Sequence, residues 1–554
     1  MAIKDYSNWS KEDLVKEVKK KDKLLKRRYG IVWEEKPEEV VEMCKEKLPV
    51  LKEVKNKEII TGKDKPVNLL IEGDNYHALS VLNYTHAKKV DVIYIDPPYN
   101  TGNKDFIFND RYIDREDVYR HSKWLAFMEK RLRLAKNLLK NSGVIFISID
   151  DNEQAQLKLL CDDIFEPNNF VGQIVVYKGT STGQDAQKFS NSFDYLLVYK
   201  RGSFELKDIP LSEKDQARFN KKDKRGYYAI LQFRKTGKND RRENRPNLYY
   251  SLITPDKTKI YPIGPTGYKS TWRSSLSTFK ELEEDGLVVW IKQERGWVPY
   301  IKYYVENRGK RPSNLWTDIE GNKKASIELR DLFHDKIFEN PKPTELIKRI
   351  LEVAEQKDST ILDFFAGTGT TAHATLELNS KDGGKRKFIL CTNNENNNGN
   401  GYKIAEDICY PRVKKVIEGY KNLKGEKVEG LGGNLKYLKT DFVDAESTDR
   451  NKRKLVDKST EMLCLKEDCF DELIKGRDFR IFTNSQDKNL SVIYDDDGIE
   501  PFKKEAKKLR KKFVVYVFSL DESAREEEFE DVAKWVELKP IPAVILNVYK
   551  KIFK

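Results

Sequence analysis

Histidine, cysteine and long apolar runs are scarce in this chain, and each scarcity closes off some chemistry. Five histidines among 554 residues argue against a histidine-based metal site or a histidine-dependent catalytic triad. The six cysteines, at 44, 161, 391, 409, 464 and 469, form no CxxC pair and no Cys/His zinc spacing. They read as incidental thiols of a reduced, cytosolic protein. No apolar run approaches the ~18–20 residues of a membrane span, and nothing at the start resembles a signal peptide. No Walker loop occurs, so nothing here marks an ATP site.

Charge, by contrast, is abundant: 35% of residues are Asp, Glu, Lys or Arg, and the formal net charge is +13. Most of that excess is local. Residues 177–330 hold 31 Lys and Arg against 19 Asp and Glu, a net of +12. A basic excess confined to one segment is the footprint of a surface that meets phosphates; a solvated lysine-rich surface is the plainer alternative. The length itself predicts two to four domains.

Apolar runs separated by helical patterns organise the rest. Residues 7–30 read as a charged helix with Ser10 as N-cap, and 31–60 as a second helical stretch and a connector. Residues 67–84 read as strand, turn, helix, and 90–99 as a second strand. A helix over 117–140 should stop at Asn141-Ser142-Gly143, followed by a buried strand over 143–150. Helices alternating with apolar strands argue for a parallel sheet. From about 177 to 330 the alternation is lost. It resumes with helix 343–355, strand 359–365, helix 370–379 and strand 386–391. The expected division is therefore 1–60, a helical segment; 61–176 and 331–440, two halves of one α/β domain; 177–330, a basic insert; and 441–554, a small α/β domain.

Two motifs carry the chemistry. "DVIYIDPPYNTGN" (91–103) ends a buried strand on a carboxylate, two prolines and a tyrosine. "ILDFFAGTGTTAHATLEL" (361–378) ends a strand in a glycine turn that opens a helix. The second is neither a Walker loop nor the GxGxxG dinucleotide spacing, so an oxidoreductase fits poorly. Alone it is equally a structural turn.

Together, D-P-P-Y and F-x-G-x-G resemble the amino methyltransferases that use S-adenosylmethionine. D-P-P-Y precedes the glycine motif here and a basic insert separates them, an order similar to the permuted β class. "IEGDNYHAL" (71–79) and "NPKPTELIKRIL" (340–351) resemble that family's cofactor-side segments. Further stretches, "KRRYGIVWEEKPEEV" (26–40), "LPVLKEV" (48–54), "FILCTNNENN" (388–397), "YPRVKKVI" (410–417) and "PIPAVILNVYKKIFK" (540–554), resemble modification subunits of type III restriction systems.

The resemblance implies a Rossmann-like methyltransferase sheet, circularly permuted and split by a target-recognition insert. It implies adenine-N6 DNA methylation after base flipping, by a cytoplasmic bacterial homodimer that partners a separate ATP-dependent endonuclease subunit. No metal is expected. Asp96 and the Pro97 carbonyl would accept the two amine hydrogens of the flipped base and Tyr99 would stack on the base, with Pro98 completing the catalytic motif. Asn100 would orient the loop or merely cap the turn. Asp363, Phe365, Ala366, Gly367 and Gly369 would line the methionine end of the cofactor, and Lys342 would meet its carboxylate. Glu395 is assigned to the ribose, or is a solvated loop acid. Asp74 is assigned to the cofactor adenine, or is an N-cap. Rival readings are a stand-alone methyltransferase, cytosine-N4 methylation, and a non-catalytic nucleic-acid-binding protein that kept the fold.

Overall fold

Strands rich in Val, Ile and Leu, the central ones buried on both faces, build a ten-stranded mixed sheet in the computed structural model. The structure describes residues 9–25, 32–102, 105–109, 111–179, 189, 191–306, 309–354, 356–394, 401–520 and 523–553. They form two compact units, one of residues 1–206 and 313–554 and the other of 207–312.

The sheet lies in the first unit. Its strands are β1 (Lys47–Glu53), β2 (Val67–Glu72), β3 (Val90–Ile95), β4 (Leu139–Ile149), β5 (Phe170–Tyr177), β6 (Phe193–Lys200), β7 (Leu315–Trp316), β8 (Thr360–Asp363), β9 (Lys387–Thr392) and β10 (Asn434–Asp444). Their order is β1-β10-β2-β9-β8-β3-β4-β6-β5-β7. The six strands from β10 to β4 run parallel. β1 and β6 run antiparallel to their neighbours.

The connections diverge at the centre. β3 feeds helix Arg120–Leu138 and then β4 on one side, while β8 feeds helix Thr370–Asp382 and then β9 on the other. β3 and β8 are hydrogen-bonded neighbours, with Ile361 opposite Val92 and Leu362 opposite Ile93. Adjacent parallel strands whose crossovers depart in opposite directions leave a crevice at their C-terminal ends, the usual ligand position in such sheets.

Two local expectations change. Within 31–60, the stretch expected to be helical holds β1, because Leu48, Val50 and Leu51 are all buried and pair along β10. Pro49 is tolerated since β1 is an edge strand. The helix expected to reach residue 140 ends at Leu138, and Asn141-Ser142-Gly143 lies inside β4. The register jumps there, from Val90 opposite Leu139 to Val92 opposite Val144, so the turn-forming residues serve a bulge.

Residues 471–541 add a five-stranded sheet whose last three strands are parallel. Its Leu490, Tyr516 and Ile541 join the same continuous apolar core as Leu79, Trp124 and Ile147 of the first sheet. The second unit holds a four-stranded antiparallel sheet over a small aromatic core of Phe233, Trp272 and Phe279. It carries 24 Lys and Arg against 13 Asp and Glu, a net of +11. Among the described residues no helix is long and apolar enough to cross a membrane, and no group of His, Cys, Asp and Glu could hold a metal.

Candidate active site

The two motifs meet at that crevice. Asp96 follows the last residue of β3, and Asp363 is the last residue of β8. A cavity of about 610 Å³ opens there. Asp96, Pro97, Pro98 and Tyr99 line it together with Phe365, Gly367, Asp74 and Lys342.

Asp96 sits in a directed chain of hydrogen bonds. The Tyr99 hydroxyl donates to Asp96 Oδ1 at 2.8 Å, and Lys342 Nζ donates to the Tyr99 oxygen at 2.7 Å. Lys342 also lies 3.6 Å from Asp96 Oδ1 and donates to Asp194 Oδ2 at 2.9 Å. Lys178 holds the other Asp194 oxygen at 2.7 Å. Burial pushes the Asp96 carboxyl above its ordinary range, against the pull of Lys342. Burial acts the same way on Asp194, but Lys342 and Lys178 outweigh it and hold that group below the usual carboxylate value. Lys342, expected at a cofactor carboxylate, is thus engaged with the D-P-P-Y motif and Asp194.

The turn behind Tyr99 is fixed from below. The buried Trp124 indole donates to the Pro98 carbonyl at 2.7 Å. Asn100 adopts φ of +58°, which asparagine tolerates better than most residues. Its amide is fully buried and donates to Glu153 Oε1 at 2.5 Å, while His121 Nδ1 lies 2.6 Å from the same oxygen. Glu153 Oε2 and Asn100 Oδ1 have no hydrogen-bond partner among the described residues. Burial raises the Glu153 carboxyl to about 8. So Asn100 orients the loop through a buried network.

On the cofactor side of the expected pocket, Asp363 accepts from the Thr371 hydroxyl at 2.5 Å and from the Phe365 amide at 3.1 Å. Burial raises it to about 7. Gly367 faces the cavity with φ of +49°. Gly369 does not play the same part: a Cβ there would meet Cys409 Sγ at 3.2 Å and Val413 Cγ2 at 3.3 Å, so its smallness serves helix packing. Ala366 is buried in the apolar cluster beneath. Asp74 is an N-cap, accepting from the Tyr76 amide at 2.7 Å, and also lines the cavity. Glu395 lies outside the described residues.

Residues the sequence did not single out complete the site. Arg131, fully buried, makes a two-pronged pair with Glu38 at 2.7 and 3.0 Å and reaches Asp74 at 3.4 Å. It carries the cavity's Asp74 on a structural ion pair. Lys178 and Asp194 fall within the segment read as a recognition insert, yet they line this cavity. An acid opening an otherwise apolar strand, "NSFDYLLVYK", is the one signal that marks Asp194. The charged lining is acidic: Asp74, Asp96, Asp105, Asp150, Asp194 and Glu339 against Lys178 and Lys342.

A doubly wound sheet thus brings D-P-P-Y and a glycine turn to one cavity. The DNA methylase family of N6 and N4 methyltransferases matches residues 90–410, more than half of the sequence, and the chain belongs to that family. It is 36% identical over 378 residues to the type III restriction-modification enzyme StyLTI Mod subunit of Salmonella typhimurium, covering 63% of this chain and 57% of that one. Little more than half of that relative's length is therefore represented here. It is 34% identical to the type II methyltransferase M.KpnI of Klebsiella pneumoniae, covering 64% of this chain and 89% of that enzyme. Among solved structures, the M1.HpyAVI–SAM complex matches 63% of this chain and 98% of its own, at 12% identity and a TM-score of 0.29.

Proposed function

We propose that this chain methylates the exocyclic N6 amine of adenine in DNA, with S-adenosylmethionine as donor, as the modification subunit of a type III restriction system. The observation that carries the reading is the convergence of Asp96-Pro97-Pro98-Tyr99 and Phe365/Gly367 on one acidic cavity at the switch point of the sheet. The cavity suits the cofactor: six carboxylates against two lysines favour a cationic ligand, and Gly367 leaves its backbone approachable.

When bound, S-adenosylmethionine supplies an electrophilic methyl group on a positively charged sulfur. Phe365 and Gly367 would flank its methionine end, and Asp74 its adenine. Glu395 remains the candidate for the ribose. The adenine amine is a poor nucleophile because its lone pair is delocalised into the ring. Asp96 and the Pro97 carbonyl accept its two hydrogens, draw it toward tetrahedral geometry and expose the lone pair. Asp96 need not take a proton before transfer; the surplus proton leaves through its carboxylate afterwards. Tyr99 stacks on the base, which must leave the duplex to arrive, at a cost of a few kcal/mol.

The basic unit 207–312 contacts DNA phosphates and reads the target sequence. A homodimer and a separate ATP-dependent endonuclease subunit complete the system. Asp rather than Ser at 96 favours adenine over cytosine-N4. Single-molecule sequencing of DNA from cells with the chain, without it and with Asp96→Ala tests the reading. N6-methyladenine at one short motif, absent from the last two, is expected. Its absence from wild-type cells, or its persistence with Asp96→Ala, would overturn it.

A further inference from the structure

Asp194 touches neither motif, yet it is one of the most heavily invested carboxylates near the cavity. It is buried, and each oxygen is held by a different lysine, Lys178 at 2.7 Å and Lys342 at 2.9 Å. Lys342 is one-tenth exposed and stands between two carboxylates, Asp194 and Asp96. It favours Asp194, with 2.9 Å against 3.6 Å to Asp96 Oδ1. What it gives the motif instead is a hydrogen bond to the Tyr99 oxygen. That bond occupies the oxygen's acceptor side and turns the phenolic hydrogen toward Asp96 Oδ1. Both contacts recorded for Asp96 fall on Oδ1, so Oδ2 has no hydrogen-bond donor among the described residues.

We infer, resting on the proposed methyl transfer, that Asp194 is a positioning residue: by restraining Lys342 it fixes the Asp194–Lys342–Tyr99–Asp96 chain and keeps Asp96 Oδ2 open for the amine. Without Asp194 the ammonium would have one carboxylate left. A direct Lys342–Asp96 pair would neutralise the acceptor and fill the place of the amine hydrogen. The chain moves no proton; it sets directions. Lys178 is the counterweight. It shares the charge of Asp194 and so limits how far Lys342 is drawn from Tyr99.

The other ionisable groups facing Asp96 are Tyr94 and Asp363, and Asp150 faces Asp194. None of them lies between Lys342 and Asp96 in the chain of bonds.

Asp194→Asn keeps the shape and removes the charge. It should lower kcat by about 10- to 100-fold. Affinity for S-adenosylmethionine, read by calorimetry, should fall far less than kcat, because Asp194 is one of six carboxylates lining the cavity and none of the groups assigned to the cofactor is replaced. The acid limb of the kcat profile should move to lower pH, since a like charge beside Asp96 is gone and Lys342 pairs with it. Lys178→Gln should move that limb the other way, because an unshared Asp194 draws Lys342 off and repels Asp96 more strongly. Lys178 is partly exposed, so this second variant serves if Asp194→Asn does not fold. Limbs that stay put, or move together, overturn the inference, as does a loss confined to cofactor affinity. NMR titration of 13C-labelled aspartate, with Asp96 assigned by substitution, reads the same two shifts without turnover. A wild-type chain that transfers no methyl group would sink the proposed function, and the titration would still decide the chain of bonds.

Discussion

Glu153 offers a direct test of the support behind the catalytic turn. The side chain is fully buried, its Oε1 takes both Asn100 and His121, and two oxygens in the network, Glu153 Oε2 and Asn100 Oδ1, lack donors among the described residues. A protonated carboxyl suits this network, because Oε2 then carries a hydrogen to offer an acceptor such as Asn100 Oδ1 while Oε1 still accepts from the Asn100 amide. Burial is the main cause that raises the group to about 8, from an ordinary 4.5. His121 is held below its usual value by burial and by Arg120. The folded state therefore holds a proton between pH 4.5 and 8 that the unfolded state has released. Stability from this group is fully present below 4.5 and is lost as pH rises through 8. At 1.36 kcal/mol per unit, a shift of that size amounts to about 3–5 kcal/mol across the window.

Glu153→Gln fixes the neutral form. Its amide can donate to Asn100 Oδ1 and its carbonyl can accept from Asn100 and His121, without titrating. Melting temperatures of the variant and the wild type should nearly coincide at pH 5. The variant should pull ahead by several degrees by pH 8.5, the difference growing steadily with pH. Glu153→Ala should melt lower at every pH, because it strands the Asn100 amide, at a cost of about 1–3 kcal/mol. A Glu153→Gln difference that is flat, or that falls with pH, would mean the carboxylate is charged in the native protein and the paired arrangement is wrong.

Gly367→Val should weaken S-adenosylmethionine binding by calorimetry, since it faces the cavity, and should also lower the melting temperature, because a β-branched residue is strained at φ of +49°. Gly369→Val should lower the melting temperature further, because its φ of +80° is strained too and its side chain would press on Cys409 and Val413. Replacing residues 207–312 with a relative's equivalent should change which sequence is methylated and leave the methylated atom alone. DNA binding by the parent chain should also fall steeply with salt, and a folded, active chimera that keeps the old site would move recognition elsewhere.

The two motifs were legible because each is a run of neighbours whose chemistry is local. A carboxylate and two prolines at a strand end, or glycines at a turn, say much the same in any fold. The supporting groups were not legible, because their meaning depends on partners far along the chain. Arg131 looks like one more charge on an amphipathic helix until Glu38, 93 residues away, is seen clasping it in the core. Lys342 lines the cavity, but its partners Tyr99 and Asp194 lie 243 and 148 residues off. Asp194 was hidden for another reason. The basic count drew the insert's edge at 177, whereas β5 and β6 still belong to the large sheet and the separate unit begins at 207.

That edge explains how one chain can carry a fixed reaction and a basic unit of its own. Each motif opens an intact crossover, β3 to helix Arg120–Leu138 to β4, and β8 to helix Thr370–Asp382 to β9. β3 and β8 are neighbours in the sheet but are not joined by either crossover, since the sheet winds outward from them in both directions. A chain must therefore travel some way between finishing the first crossover and starting the second. Residues 207–312 occupy that journey without interrupting a strand pair of the catalytic centre. Asp194, Lys178 and Asn322 flank the excursion in sequence and line the cavity. Exchange of the unit should thus preserve chemistry only if the junctions lie inside 207 and 312. A swap cut at 177 and 330 would replace Asp194 and Lys178 along with the basic unit, and should cost turnover as well as specificity. Equal turnover from the two chimeras, with the donor lacking an acid at the Asp194 position, would refute that account.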